Sequence, residues 1–178
     1  LLCRDMAKMG KTGAAKKMLE KLLKDSIASG DSVLLLAQGK LLNEIGELNR
    51  AEQNFREAID CNTQVSAVLG AYLGLADVLI AKNQLRRAIG VLVDLCRELE
   101  NRMGEKMAQG LLRDAGVICA EIVTKTAKII EKSRLSPENK HTFLLKFEKT
   151  NDYYRDQDYQ KYVQETEKFL NKLQEKIR

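Results

Sequence analysis

The sequence has a single proline among its 178 residues and only 11 glycines, which leaves little material for the tight turns of an all-β fold. No run approaches the roughly 18 uninterrupted apolar residues of a membrane-spanning helix, so we expect no membrane insertion. The first five residues, Leu1 to Asp5, already include the charged residues Arg4 and Asp5 and contain no initiator methionine. We therefore expect neither a signal peptide nor a transit peptide, and we interpret the chain as a piece of a longer protein.

Histidine and paired cysteines are equally scarce. The single histidine, His141, lies in a polar helix start, where we expect it to face solvent. The four cysteines form no CxxC pair, so no clustered zinc site is expected at Cys3, Cys61, Cys96 or Cys119. Their apolar neighbours favour reduced, buried thiols in a cytosolic or nuclear protein. Without a Ser/His/Asp set, a nucleophile elbow or a dinucleotide loop, we expect no enzyme activity and no cofactor.

One short stretch suggests a nucleotide site, because Gly10-Lys11-Thr12 has the residues that end a P-loop. A P-loop requires Gly-x-x-x-x-Gly-Lys-Ser/Thr after a strand. Asp5 occupies the position of the first glycine, and the preceding apolar spacing is helical. We interpret residues 10–13 as the turn of a helical hairpin.

The abundant residues are strong helix formers. Leucine, lysine, alanine and glutamate dominate, with 44% hydrophobic and 31% charged residues, which suits one globular domain or one compact repeat array. The net charge of +5 is unevenly placed. Residues 1–30 carry seven basic and three acidic side chains, residues 31–100 seven and ten, and residues 101–178 sixteen and twelve. An all-α protein with an acidic middle and basic flanks is predicted.

Apolar and small residues recur at the helical spacing of three and four from Ser32 onward, at Leu35, Leu36, Gly39 and Leu42. Gly46 interrupts this pattern, and glycine readily takes the left-handed conformation that ends many helices. A second helical period follows, at Ala51, Phe55, Ala58 and Ile59. Two amphipathic helices joined by a tight turn predict a helical hairpin.

The same pattern returns on either side of this hairpin. Downstream, Asn83 occupies the place of Gly46, and asparagine also tolerates the left-handed conformation. Apolar residues flank that turn at the same spacing, at Leu75, Ala76, Leu79, Ala88, Leu92 and Leu95. Upstream, Gly10 is followed in the same way by Ala15, Leu19 and Leu22. The small residues Ala15, Ala51 and Ala88 are 36 and 37 residues apart, a period typical of helical repeat arrays.

These positions resemble the tetratricopeptide repeat (TPR) family. The second unit carries the family's large-small-large and Ala-aromatic-Ala pattern at Leu35, Gly39, Leu42, Gly46, Ala51, Phe55 and Ala58. In the third unit, Leu92 and Leu95 replace the usual aromatic residue and alanine. The resemblance implies a repeat region over residues 1–102, with units at about 1–30, 31–65 and 69–102.

Beyond the repeats, a broad apolar stripe from Met103 to Ile130 predicts one long helix within residues 103–134 that packs on the array. Ser136 is suited to cap the next helix and Pro137 to open it. Residues 135–178 then form a C-terminal helical hairpin, a possible cap for the array. The predicted fold is an all-α, TPR-like solenoid of antiparallel helical hairpins with this long helix and this final hairpin.

The resemblance also implies a binding groove, because the first helices of successive TPR hairpins line a concave surface. The family's groove positions map to Arg4, Lys8, Val33, Leu36, Lys40, Asn43, Glu44, Leu73, Asp77 and Ile80. Such a groove is cationic at one end, apolar in the middle and acidic further on, which favours a peptide or helix with an apolar anchor and flanking charges. The implied function is a non-enzymatic protein–protein interaction module, a scaffold or adaptor within a larger protein.

Two alternatives stay open. A helix of the same chain can fill the groove, in which case the array is a structural part of its parent. Basic helix faces can instead bind RNA or another nucleic acid, through Lys16, Lys17, Lys21, Lys24, Lys125, Lys128 and Lys132. The carboxylate clamp of some TPR chaperone partners is disfavoured, because Ala37 and Gly74 replace its asparagine and arginine.

Overall fold

The computed structural model describes residues 31–104 and 108–177, with the backbone alone at residues 104 and 108–114. Every regular element in this described part is an α-helix, which confirms the all-α prediction. The helices are α1 (Ser32–Glu44), α2 (Leu48–Cys61), α3 (Val65–Ala81), α4 (Leu85–Gly104), α5 (Ala108–Lys132), α6 (Pro137–Arg155) and α7 (Tyr159–Lys176). The predicted first repeat and the turn at residues 10–13 lie outside the described residues.

The chain divides into two compact units, and the boundary between Val78 and Leu79 lies inside α3. In the described residues, unit 1 holds α1, α2 and most of α3, whereas unit 2 holds α4 to α7. The division therefore passes through the third predicted repeat, residues 69–102. None of the helices in the described ranges has the length and apolar character needed to cross a membrane.

Local sequence signals end and begin these helices as predicted. Gly46 has φ = 81° and Asn83 has φ = 57°, so both turn residues take the left-handed conformation. Ser136 caps α6, since its hydroxyl accepts a hydrogen bond from the Asn139 amide, and Pro137 begins the helix. These boundaries follow from residues within a few positions of each helix end.

In unit 1, the start of α1 is tied to the turn between α2 and α3. The Asp31 carboxylate caps α1 by accepting a hydrogen bond from the Val33 amide at 2.9 Å. The Ser32 and Thr63 hydroxyls are 2.6 Å apart, and the Gln64 amide donates to the Ser32 hydroxyl at 3.1 Å. Because these bonds join residues about thirty positions apart, they fix the start of α3 beside the start of α1.

The core of unit 1 is organised around the Phe55 ring, which is fully buried. A methyl carbon added at Gly39 of α1 would lie 2.6 Å from Phe55 Cε1, and one added at Gly74 of α3 would lie 2.5 Å from the same atom. Both distances are below van der Waals contact, so the ring fits between α1 and α3 only because both helices present a glycine.

In unit 2, α4 makes its most extensive contacts with α7, and α7 also contacts α5 and α6. Large side chains fill this core. The Phe147 and Phe169 rings stack with centroids 5.0 Å apart. Tyr162 is fully buried, and its hydroxyl donates to the Cys119 carbonyl oxygen at 3.4 Å.

Candidate functional site

The predicted groove residues of unit 1 lie on two neighbouring helices. A methyl carbon added at Gly70 of α3 would lie 3.0 Å from Leu36 Cδ2, so the Leu36 side chain rests on the α3 backbone. Gly70 therefore lets α1 and α3 approach closely at the point where the two predicted rows of groove residues meet.

On α1, the residues at helical spacing from Leu36 point away from the core. Val33 is 41% exposed. Lys40 and Glu44 are exposed, whereas Leu36 and Asn43 are half-buried. This face offers apolar surface followed by one positive and one negative charge.

On α3, the matching row runs from Gly70 through Leu73 to Asp77, and both of these side chains are half-buried. We call the surface formed by Val33, Leu36, Lys40, Glu44, Leu73 and Asp77 the α1/α3 surface. Ile80, the last predicted groove residue, is only 5% exposed, so its side chain is not available to a ligand. Arg4 and Lys8, the predicted cationic end of the groove, lie outside the described residues.

Gly74, the position at which the disfavoured carboxylate clamp would need an arginine, faces the Phe55 ring in the core of unit 1. A side chain of any size at this position would displace the ring.

The predicted lysine stripe of α5 is not one continuous surface. Lys128 and Lys132 are exposed, but Lys125 is 3% exposed and its ammonium lies 3.1 Å from Glu121 Oε2. Lys125 therefore cannot contact a nucleic acid. The other predicted basic residues, Lys16, Lys17, Lys21 and Lys24, lie outside the described residues.

Lys132 instead lines a groove that no pattern in the sequence predicted. Arg86, Arg87 and Arg134 line the same groove, although they are up to 48 residues apart in the chain. Helical spacing relates residues within one helix, so no pattern in the sequence groups a residue of α4 with residues at the end of α5.

The groups usually used in catalysis are dispersed or buried. His141 is exposed, as predicted. No group of three or more histidine, cysteine, aspartate or glutamate side chains in the described ranges is arranged to hold a metal ion. Cys61, Cys96 and Cys119 are free thiols. Burial raises the pKa of Cys119 to about 12 and also raises the pKa of Cys96, so both thiols are protonated and unreactive at neutral pH.

Comparisons with protein-family models, with curated proteins and with solved structures found no match to this chain. The α1/α3 surface and the groove around Lys132 are the two candidate binding sites in the described residues.

Proposed function

We propose that this chain is a helical scaffold that binds a peptide segment or helix of another protein on the α1/α3 surface. The observation that carries the proposal is the seating of Leu36 on Gly70, which joins the exposed face of α1 to the half-buried row on α3. Two parallel rows of side chains, apolar at the centre and charged beside it, suit a ligand that presents one apolar anchor.

The charges around the apolar centre define the ligand further. Lys40 is exposed and favours an acidic residue beside the anchor. Exposed charges contribute more to the orientation of a ligand than to its affinity. We therefore expect the apolar anchor to provide most of the binding energy.

We further propose that α1 and α2 form one hairpin of a TPR-type α-solenoid. The support is local: the two helices pack against each other, they are joined by a left-handed glycine, and Phe55 of α2 fills the space left by Gly39 of α1. A close contact between a small and an aromatic residue is what the repeat pattern of the sequence requires. A solenoid of this kind would continue the α1/α3 surface as a longer groove.

Site-specific photo-crosslinking tests the binding proposal. A photoreactive phenylalanine analogue is placed at Val33, which is exposed, or at Leu73, which is half-buried. The exposed apolar residues Val117 and Leu144 of unit 2 are the control positions. After irradiation in lysate, mass spectrometry identifies the crosslinked peptide, which is then synthesised. We expect the same peptide at Val33 and Leu73, and not at the two control positions.

The affinity of that peptide for two variants then distinguishes specific binding at the α1/α3 surface from nonspecific binding. The double variant Val33→Asp with Lys40→Glu should weaken binding about tenfold or more. The control Leu144→Asp with Lys146→Glu makes the same chemical change on an exposed face of α6 and should leave affinity unchanged. Equal losses in both variants, or crosslinks to RNA alone, would show that the α1/α3 surface is not a peptide site.

A further inference from the structure

The groove around Lys132 in unit 2 is built from three separate segments of the chain. It has a volume of about 440 Å³, within the range of about 300–1,000 Å³ typical of ligand sites. The start of α4, the end of α5 with the turn after it, and the residue after α7 contribute its described lining residues, which are Asn83, Gln84, Leu85, Arg86, Arg87, Lys132, Arg134 and Ile177. We call this surface the basic groove.

The charge of the basic groove has one sign. Its four ionisable lining residues among those described are Arg86, Arg87, Lys132 and Arg134, and all four are exposed. Arg86, Lys132 and Arg134 form no ion pair with any residue of the described ranges. These three unpaired cations around one cavity repel one another, so an anion bound between them relieves that repulsion.

The backbone that carries these cations is held in place. Gln174 of α7 donates to the Arg86 carbonyl oxygen at 3.0 Å, which ties the end of α7 to the start of α4. The Ser133 hydroxyl donates to the Ile130 carbonyl oxygen at 2.6 Å, and Lys140 donates to the Glu131 carbonyl oxygen at 2.6 Å, so the end of α5 is fixed as well. The floor of the groove is apolar, since Leu85 and Ile177 are buried.

The side chains suit an oxyanion that carries more than one negative charge, such as phosphate. Three of the four cations are arginines, whose planar guanidinium groups bind phosphate oxygens with two parallel hydrogen bonds. No aromatic side chain is among the described lining residues, so the groove offers no platform on which a base can stack. The cations also cluster around one cavity and do not form a stripe that follows a nucleic-acid backbone.

We propose that the basic groove binds a phosphorylated serine or threonine of a protein segment. The phosphate, with a charge between about −1.5 and −2, is held by Arg86, Arg134 and Lys132, and the apolar floor accepts a neighbouring side chain. This site is independent of the α1/α3 surface, so either proposal can fail without the other.

Nuclear magnetic resonance tests the site directly on the 178-residue chain. The backbone amides and the arginine Nε–H groups are observed while a Gly/Ser peptide carrying two phosphoserines is added up to about 1 mM, a concentration that detects even weak binding. We expect shifts concentrated at Arg86, Arg87 and Arg134. The unphosphorylated peptide should cause none, and a single-stranded oligouridine of similar charge should shift these groups less.

Paired variants decide whether the groove or the net charge attracts the peptide. Arg86→Gln with Arg134→Gln should weaken phosphopeptide binding about tenfold, because two charge-assisted contacts are lost. Lys146→Gln with Lys149→Gln removes the same charge from exposed positions of α6 and should change affinity less than about twofold. Thermal unfolding checks that both variants fold, which is expected because all four residues are exposed.

Three results overturn the proposal. Equal weakening in the two variants means that net charge alone attracts the peptide. Shifts scattered over the surface, or no shifts at all, mean that the groove is not a phosphate site. Tighter binding of the oligouridine than of the phosphopeptide at the same arginines assigns the groove to nucleic acid instead.

Discussion

The two units bury aromatic side chains in opposite ways. In unit 1 the Phe55 ring lies between two helices that have no side chain at the contact, Gly39 and Gly74. In unit 2 the Phe147 and Phe169 rings stack on each other, and Tyr162 reaches a backbone carbonyl oxygen on α5. One core is a ring enclosed by backbone, whereas the other consists of large side chains packed together.

This difference shows which packing leaves a visible pattern in a sequence. A ring enclosed by backbone requires small residues at fixed positions, so Gly39, Phe55 and Gly74 are constrained in type and spacing. Large side chains can fill a core in many combinations of residue type and rotamer. A core of this kind therefore leaves no short, fixed pattern in the sequence. The repeat pattern is accordingly strongest in unit 1.

The most damaging single change should be Phe55→Ala in unit 1. It leaves a cavity bounded by two helix backbones that cannot collapse into it, and should cost about 3–5 kcal/mol in the free energy of unfolding. Urea denaturation followed by circular dichroism measures this loss. Phe143→Ala in unit 2 is the comparison, since Phe143 is half-buried and makes only an edge contact with Phe169. Equal losses would mean that the enclosure of Phe55 has no special role.

A glycine substitution in each unit sharpens the contrast. Gly74→Ala should cost about 1–3 kcal/mol, because the added methyl collides with a ring that has no space to move. Gly90→Ala in α4 meets only the end of the Gln174 side chain, at 3.3 Å, and should be neutral or gain up to about 1 kcal/mol from helix propensity. Melting temperatures of the two variants, measured side by side, should move in different directions or by clearly different amounts.

The helix caps should differ more modestly. Asp31 accepts hydrogen bonds from the Val33 and Leu34 amides in unit 1, whereas Ser136 accepts only one, from the Asn139 amide, in unit 2. Asp31→Ala should therefore cost about 1 kcal/mol, and Ser136→Ala about half of that. Ser136→Asp retains a capping oxygen and should restore most of the loss. If it does not, the hydroxyl acts by some means other than capping.

The smallest effect at neutral pH concerns the thiols of unit 2. The pKa of Cys119 is raised by burial from 9.0 to about 12, so the folded protein keeps this proton at a pH where the unfolded chain releases it. Its contribution to stability is complete below pH 9.0 and is lost as pH rises towards 12. Cys119→Ala should reduce the alkaline loss of stability in pH-dependent urea titrations. An unchanged alkaline slope would show that Cys119 is not responsible.

Much of the helical architecture was predictable because helix ends obey local rules. Gly46, Asn83, Ser136 and Pro137 act through their own backbone conformation and the nearest amides, so their roles follow from residue type and position. The candidate site was only partly predictable. The resemblance to the TPR family implied a groove that includes Leu36, Lys40 and Ile80, but it could not show that Ile80 is buried.

By itself the sequence determined the all-α class and the helix-ending turns, because each depends on local conformation. Only the tertiary structure decided that Lys125 is buried against Glu121 and that Lys132 lies beside Arg86 and Arg134. Burial and charge clustering depend on which distant segments meet. That choice is made by the packing of whole helices and not by the residues next in the chain.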